Sequence, residues 1–355
     1  MRAAVFSFSA RGAHLSKRIA ETLRSVGYDA EAMTVAKYAD ETGLTPMLPD
    51  YKAACAAAFV SCEAIVFVGA AGIAVRAIAP HIKSKLTDPA VINVDERGNF
   101  VIPLLAGHIG GANELARYLA ASLGASACVT TATDVNGLFA VDEWAARNNM
   151  VICSLLAAKD FAAALVADEK VGLYYDEAFR IAGALPQNIE LGSTLPVGMA
   201  VTLDSTLTPF TTTVRLLPKI IHLGIGCRRN TPLENIEALV LSELAKLHID
   251  LRSVVALASI DLKKDEQGLL AFAEKYKLSA NFYTADELNS VAGDFTPSAF
   301  VKSVVGVSNV CERSAVRDSN NGRLLLRKTS LNGVTLAVAA ENLVLDFAKT
   351  GLKTN

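Results

Sequence analysis

The sequence predicts an α/β protein, with N-terminal and C-terminal α/β domains of mainly parallel sheet joined by a less regular middle region. Three observations carry that reading. Short apolar runs alternate with helical patterns up to about Thr133, and again from near Lys219. In both stretches a glycine-rich turn leads from run to helix. Between them, Leu191 to Val214 is rich in Thr, Pro and Gly and reads as strands, loops or a linker. The predicted domains are therefore 1–133, 134–217 and 218–355.

Taken in order, Ala3 to Phe8 reads as a strand, and Leu15 to Val26 as a helix with Leu15, Ile19, Leu23 and Val26 on one face. Ala64 to Val68 is a buried strand, Gly69 to Gly72 its turn, and a helix follows through Ala79. Val91 to Val94 and Phe100 to Leu104 flank a hairpin loop, Asp95 to Asn99. The middle region holds the only tryptophan, Trp144, and a helical run from Leu155 to Val166.

Composition narrows the function. Hydrophobic residues make up 52% and charged residues 20%, which allows sizeable cores and excludes wholesale disorder. A net charge of -2 argues against a general nucleic-acid binder, so an anionic ligand must be met by local arginines. No apolar stretch is long enough to cross a bilayer, and Met1 to Phe8 lacks the features of a secretory signal. Six scattered cysteines without a CxxC pair suit a reducing cytoplasm. With five histidines, none closely paired, no protein-bound metal is expected.

Four glycine-rich strand-to-helix turns are the candidate sites. The clearest runs from Ile220 to Glu234, with Gly224, Gly226, Arg228 and Arg229 ahead of Thr231, an N-cap candidate, and Pro232 and Glu234. Such a turn can bring backbone N–H groups to an anion, or it can be a tidy helix start with solvated arginines. A dinucleotide fingerprint fails because Arg229 stands at the third glycine position, and no Gly-Lys pair exists for a Walker loop. In the second turn, His108 precedes Gly110 and Gly111 at the carboxyl end of a strand, where open α/β sheets place ligands. A histidine there can exchange protons, although a lone histidine is more often a capping residue. The third turn offers Gly69, Gly72 and Arg76; the last offers Ser308 or Asn309 as a cap, Glu312, Arg313 and Arg317. Glu312 could be an acid or base, and its spacing from Asn309 favours a cap.

Together the blocks VGAAGIAVR (68–76), VDERGNFVIPLLAGHIGGANELAR (94–117), LGIGCRRNTP (223–232), ASIDLKKDEQGL (258–269) and GVSNVCERSAV (306–316) resemble the cobalt-precorrin-5A hydrolase family of anaerobic cobalamin biosynthesis. The C-terminal region alone also resembles a smaller stand-alone relative of the aerobic pathway. The resemblance implies opening of the ring-A lactone of a cobalt corrinoid, then carbon–carbon cleavage that releases acetaldehyde. The cobalt belongs to the substrate, so no cofactor is expected. It further implies a cytoplasmic enzyme with transient contact to neighbouring pathway enzymes. Lactone opening needs a base and oxyanion donors. His108 is the candidate base, the Gly110 and Gly111 N–H groups the donors, and Glu312, or less so Glu114, the helper in carbon–carbon cleavage. Arg76, Arg228, Arg229 and Arg313 are expected to clamp peripheral carboxylates, beside Gly69, Gly72, Gly224 and Gly226. The competing expectations are a non-catalytic corrinoid carrier and a nucleotide-dependent oxidoreductase.

Overall fold

The computed structural model describes residues 1–84, 87–108, 110–192, 194–297 and 306–347. It divides into two compact units, Met1–Arg147 and a second that begins at Asn148. Among the described residues no helix is long and apolar enough to cross a membrane.

In the first unit, β1 (Arg2–Ser7), β2 (Asp29–Thr34), β3 (Thr45–Pro46), β4 (Ala64–Val68), β5 (Ala90–Val94), β6 (Phe100–Leu105) and β7 (Ser126–Ala127) form one sheet. Its order is β3-β2-β1-β4-β5-β6-β7. Every pairing is parallel except that of β5 with β6, the hairpin read from the sequence. Asp95 shapes that hairpin by accepting the N–H groups of Arg97, Asn99 and Phe100. The central strands β1, β4 and β5 are mostly apolar because helices cover both faces, whereas β2 alternates Asp29 and Glu31 with the buried Ala30 and Ala32. Val5, Val66 and Ile92 pack with Ile19, Leu23, Leu115 and Leu119 on one face. Phe6, Ile65 and Phe67 pack with Cys55 and Ile78 on the other. The first helix, Ala10–Arg24, starts earlier than its apolar stripe suggests because Ser9 caps it by accepting the Gly12 N–H.

The second unit contains two main sheets. Its first part supplies β8 (Met150–Ile152), β9 (Val171–Tyr175), β10 (Arg180–Ala182), β11 (Ile189–Leu191), β12 (Val197–Val201) and β13 (Thr212–Pro218). These give a sheet in the order β11-β9-β12-β13-β8, with only the β13–β8 pair antiparallel. So the stretch read as less regular is ordered sheet. Its strands are short and diluted by glycine, and packing explains the dilution. The Phe210 ring lies over β9 and β12, and a Cβ on Gly172 or Gly198 would stand 2.1 or 2.5 Å from it. The helix Leu155–Val166 forms as predicted, capped by Ser154.

The remaining strands are β14 (Ile221–Cys227), β15 (Val254–Ile260), β16 (Ser279–Tyr283), β17 (Arg323–Leu331), β18 (Val334–Ala340) and β19 (Val344–Asp346). The sheet order is β16-β15-β14-β18-β17, parallel from β16 to β14 and antiparallel beyond. β19 pairs instead with β10. The helix Val310–Asp318 packs Cys311, Ala315 and Val316 against Ala337 and Ala339 of β18. It approaches β14 so closely that a Cβ on Gly224 would stand 1.8 Å from the Cys311 carbonyl oxygen. Gly226 is similarly confined, since a Cβ there would stand 2.6 Å from the Thr335 hydroxyl. Packing, not a ligand, therefore accounts for both glycines.

The division at Arg147/Asn148 differs from the predicted 133/134 and 217/218 boundaries. Residues 134–147 belong with the first unit because their carboxylates pair with His108, and the middle sheet groups with the C-terminal one. Gly224→Ala should lower stability in urea unfolding by roughly 1–3 kcal/mol, the usual range for overpacking. An unchanged midpoint would contradict the close helix–strand approach.

Candidate active site

The strand β6 ends at Leu105, and the chain turns at Ala106, whose φ is 55°, before reaching His108. Gly111 then adopts a φ of 80° as the N-cap of the helix Ala112–Leu123. The turn closes on itself: Gly111 donates its N–H to the His108 carbonyl at 2.9 Å, and Asn113 donates to the Gly107 carbonyl at 2.9 Å. Gly110 is held against Ala106, where a Cβ would meet the Ala106 Cβ at 2.4 Å.

His108 is set between two carboxylates. Its Nε2 lies 2.8 Å from Asp134 Oδ2, and its Nδ1 lies 3.3 Å from Asp142 Oδ1. The Thr133 hydroxyl is 3.3 Å from the same Nε2. A carboxylate at neutral pH only accepts, so a ring facing one on each nitrogen satisfies both by carrying both protons. Burial acts to lower the His108 pKa, but the hydrogen bonds and charges of Asp142 and Asp134 outweigh it and raise it to about 9. The ring is an imidazolium at neutral pH.

Asp134 is the hub of this cluster. Asn113, buried at 1% exposure, donates to it from Nδ2 at 2.9 Å and also to the Thr131 hydroxyl at 2.9 Å. Arg117, one turn further along the same helix, donates to Asp134 Oδ1. Burial alone would raise the Asp134 pKa, yet Arg117 and His108 hold it below its usual value. Glu143 pairs with Arg147 four residues on, and Arg147 stands 3.7 Å from Glu114. Burial raises the Glu143 pKa, against the pull of Arg147. His108, Gly110, Gly111, Glu114, Glu143 and Arg147 line a cavity of about 330 Å³. His108, Asp134 and Glu143 set ligand atoms within 4.8 Å of one another, close enough to share a cation. Arg117 and Arg147 already balance two of those three groups.

The sequence reading found His108 and its glycines but missed Asp134, Asp142, Glu143, Asn113, Arg117 and Arg147. The available signal was three carboxylates, Asp134, Asp142 and Glu143, in the first turns of the short helices Ala132–Val135 and Val141–Arg147, with Arg147 one turn after Glu143. The predicted boundary at 133/134 cut between His108 and those partners.

The other expected site residues have different surroundings. As a base, His108 would have to lose a proton that two carboxylates hold, which points to an acid instead. The Gly111 N–H is engaged by the His108 carbonyl and is no oxyanion donor. Gly69 bonds through its own N–H to Val94 and through its carbonyl to Asn93, as a turn glycine does. Arg76 folds back to the Gly72 carbonyl at 3.0 Å and is exposed. Arg229 is exposed, donating to Asp265 at 2.8 Å and to the Leu262 carbonyl at 3.1 Å. Arg228 is exposed beside Gly333. Thr231 is not the expected cap: Pro232 holds that position, and the Thr231 hydroxyl donates back to the Arg228 carbonyl.

Asn309 does cap its helix, accepting the Glu312 N–H at 2.8 Å. Glu312 is fully buried and accepts from the Thr296 N–H, the Thr296 hydroxyl and the Lys328 N–H. Burial would raise its pKa, but these donors hold it below the usual value, so it is a structural anion and not an acid or base. Arg313 is equally structural: Nη1 donates to the carbonyls of Leu288 and Val291, and the guanidinium lies over the Phe295 ring at 4.6 Å.

Two segments match known families. Residues 53–134 match the family described as Cobalamin synthesis G N-terminal, and residues 221–339 match Cobalamin synthesis G C-terminus. The architecture and this paired match define a two-unit α/β protein of cobalamin synthesis. The chain is 35% identical over 348 residues to the cobalt-precorrin-5A hydrolase of Salmonella typhimurium, covering 94% of this chain and 96% of that protein. It is 34% identical to the one from Priestia megaterium, over 79% of each. A solved cobalamin biosynthesis protein G homolog from Sulfolobus solfataricus aligns over 96% of this chain and 97% of its own, at 24% identity and a TM-score of 0.41. This chain belongs to the cobalt-precorrin-5A hydrolase family.

Two outcomes follow from the site. The raised His108 pKa makes its stabilising contribution complete below the ordinary value of 6.5 and lost as pH rises through about 9. Urea unfolding across that interval should show wild type losing stability faster than His108→Gln; parallel curves would contradict the ion pairing. Glu312→Gln should cost roughly 1–3 kcal/mol, since an amide NH₂ would meet donors, while the pH dependence of turnover keeps its shape. A moved pH profile would return Glu312 to the chemistry.

Proposed function

We propose that this chain is a cobalt-precorrin-5A hydrolase that opens the ring-A lactone and releases acetaldehyde, with the first unit carrying the lactone chemistry. Its cobalt is the substrate's own. The observation that carries the assignment of roles is His108 held as a cation between Asp134 and Asp142 at a cavity wall. A half-buried proton donor beside a half-buried carboxylate of raised pKa is an acid–base pair. Glu143 accepts a proton from the attacking water, and the water oxygen bonds to the lactone carbonyl carbon. His108, turning its Nδ1–H away from Asp142, the longer of its two contacts at 3.3 Å, stabilises the oxyanion and then gives that proton to the alkoxide as the ring C–O bond breaks, leaving a carboxylate and a hydroxyl group. The Gly110 N–H is the second donor in this scheme.

A cavity of about 330 Å³ is at the small end for ligand sites, and it suits the lactone edge of a macrocycle. Arg76, exposed in the same unit, is available to an acetate or propionate group of such a substrate. The reading places the enzyme in the cytoplasm, consistent with six cysteines outside disulfides, and allows brief contacts with neighbouring pathway enzymes.

Incubation with cobalt-precorrin-5A should yield acetaldehyde and the matching mass loss in the corrinoid. His108→Ala should lower turnover by about 10²–10⁴, the usual worth of acid–base catalysis. Activity should fall above about pH 9, as His108 loses its proton. Full turnover by His108→Ala, or an acid limb at ordinary histidine pH with no loss near 9, would refute the acid role.

A further inference from the structure

The second unit repeats the same device at a larger cavity. His222, on β14 and only 4% exposed, places Nδ1 2.5 Å from Asp318 Oδ2 and Nε2 2.9 Å from Glu341 Oε1. Asp318 ends the helix Val310–Asp318 and has a side chain exposed at 2%. It is also held by Asn281 Nδ2 at 2.7 Å and the Tyr283 hydroxyl at 2.6 Å. Arg317 covers the Tyr283 ring at 5.7 Å. Glu341 is different: its side chain is 45% exposed and stands in the wall of a cavity of about 640 Å³.

A buried ion pair of this kind is seldom a net gain in stability, because desolvating the charges costs as much as their attraction returns. Stability alone therefore does not account for a buried Asp–His pair whose outer nitrogen ends on a cavity carboxylate. The cavity is larger than that at His108 and falls in the ordinary range for ligand sites. Its wall includes Arg323 and His248 as well as Glu341. Of the other acids in its wall, Asp176 accepts the Leu203 N–H at 3.0 Å and Asp204 accepts from Thr206. Glu341 is the carboxylate there that meets a buried His–Asp pair.

We propose that Glu341 is a second catalytic residue, which takes the hydroxyl proton of the lactone-opened corrinoid in the carbon–carbon cleavage step, with His222 and Asp318 as its positioning residues. The inference rests on the hydrolase reading above. The step balances within the substrate. Loss of the hydroxyl proton to Glu341 forms the aldehyde C=O, the bond to the macrocycle carbon breaks, and that carbon keeps the electron pair and takes a proton. His222, through its Nε2 contact with Glu341 Oε1, holds that carboxylate in place at the cavity wall. No oxidant or added reactant is needed.

The test follows two readouts in the full-length enzyme supplied with cobalt-precorrin-5A: the corrinoid mass gained on water addition, and acetaldehyde. Glu341→Gln, at a half-exposed position that tolerates the change, should keep lactone opening and slow acetaldehyde release by roughly 100-fold or more, so that the hydrated intermediate accumulates. Glu341→Asp should restore part of the release, and Asp318→Asn should lower kcat for acetaldehyde with KM little changed. Loss of both steps together, or acetaldehyde release at the wild-type rate in Glu341→Gln, would overturn the proposal. If wild type itself forms no acetaldehyde, the hydrolase reading fails first, and the two failures are told apart.

Discussion

An imidazole with a carboxylate on each nitrogen is the interaction on which the first unit's chemistry depends. At His108 it fixes ring orientation and charge together, because both nitrogens must donate. It also explains the local fold. The helices Ala132–Val135 and Val141–Arg147 are too short to be stable alone, and their carboxylates meet the His108 loop. Asn113 and Arg117, one helical turn apart, complete the hold on Asp134.

Elsewhere the molecule uses glycine and arginine for construction. Gly172 and Gly198 make room for one phenylalanine, and Gly224 lets a helix lie on a strand. Arg313 gathers carbonyls left at the end of the helix Ala285–Ser290. Residue types that suggest ligand binding in a sequence are thus divided between two tasks. Arg76 and Arg228 are exposed, while Arg229, also exposed, is paired with Asp265.

Much of the fold was legible because periodicity reports burial directly. β4 and the helix Leu155–Val166 lie where the apolar pattern puts them, and the Asp95 hairpin follows from its loop residues. The middle sheet was hidden because its strands run three to seven residues and carry glycines placed for Phe210. The His108 loop was visible as a glycine turn at a strand end. Its partners were not, since they come from 26 and more residues onward and long-range ion pairing leaves no local periodicity. His222 was overlooked for a related reason. Within an apolar strand a single histidine reads as packing, and its partners Asp318 and Glu341 are 96 and 119 residues away.

The central claim is that His108 is a cation at neutral pH, and an NMR titration of its imidazole nitrogens measures this directly. Both nitrogens should report protonation at pH 7, with a midpoint near 9. A midpoint at or below 6.5, with one nitrogen bare at neutral pH, would contradict the two-carboxylate account and restore His108 as a base.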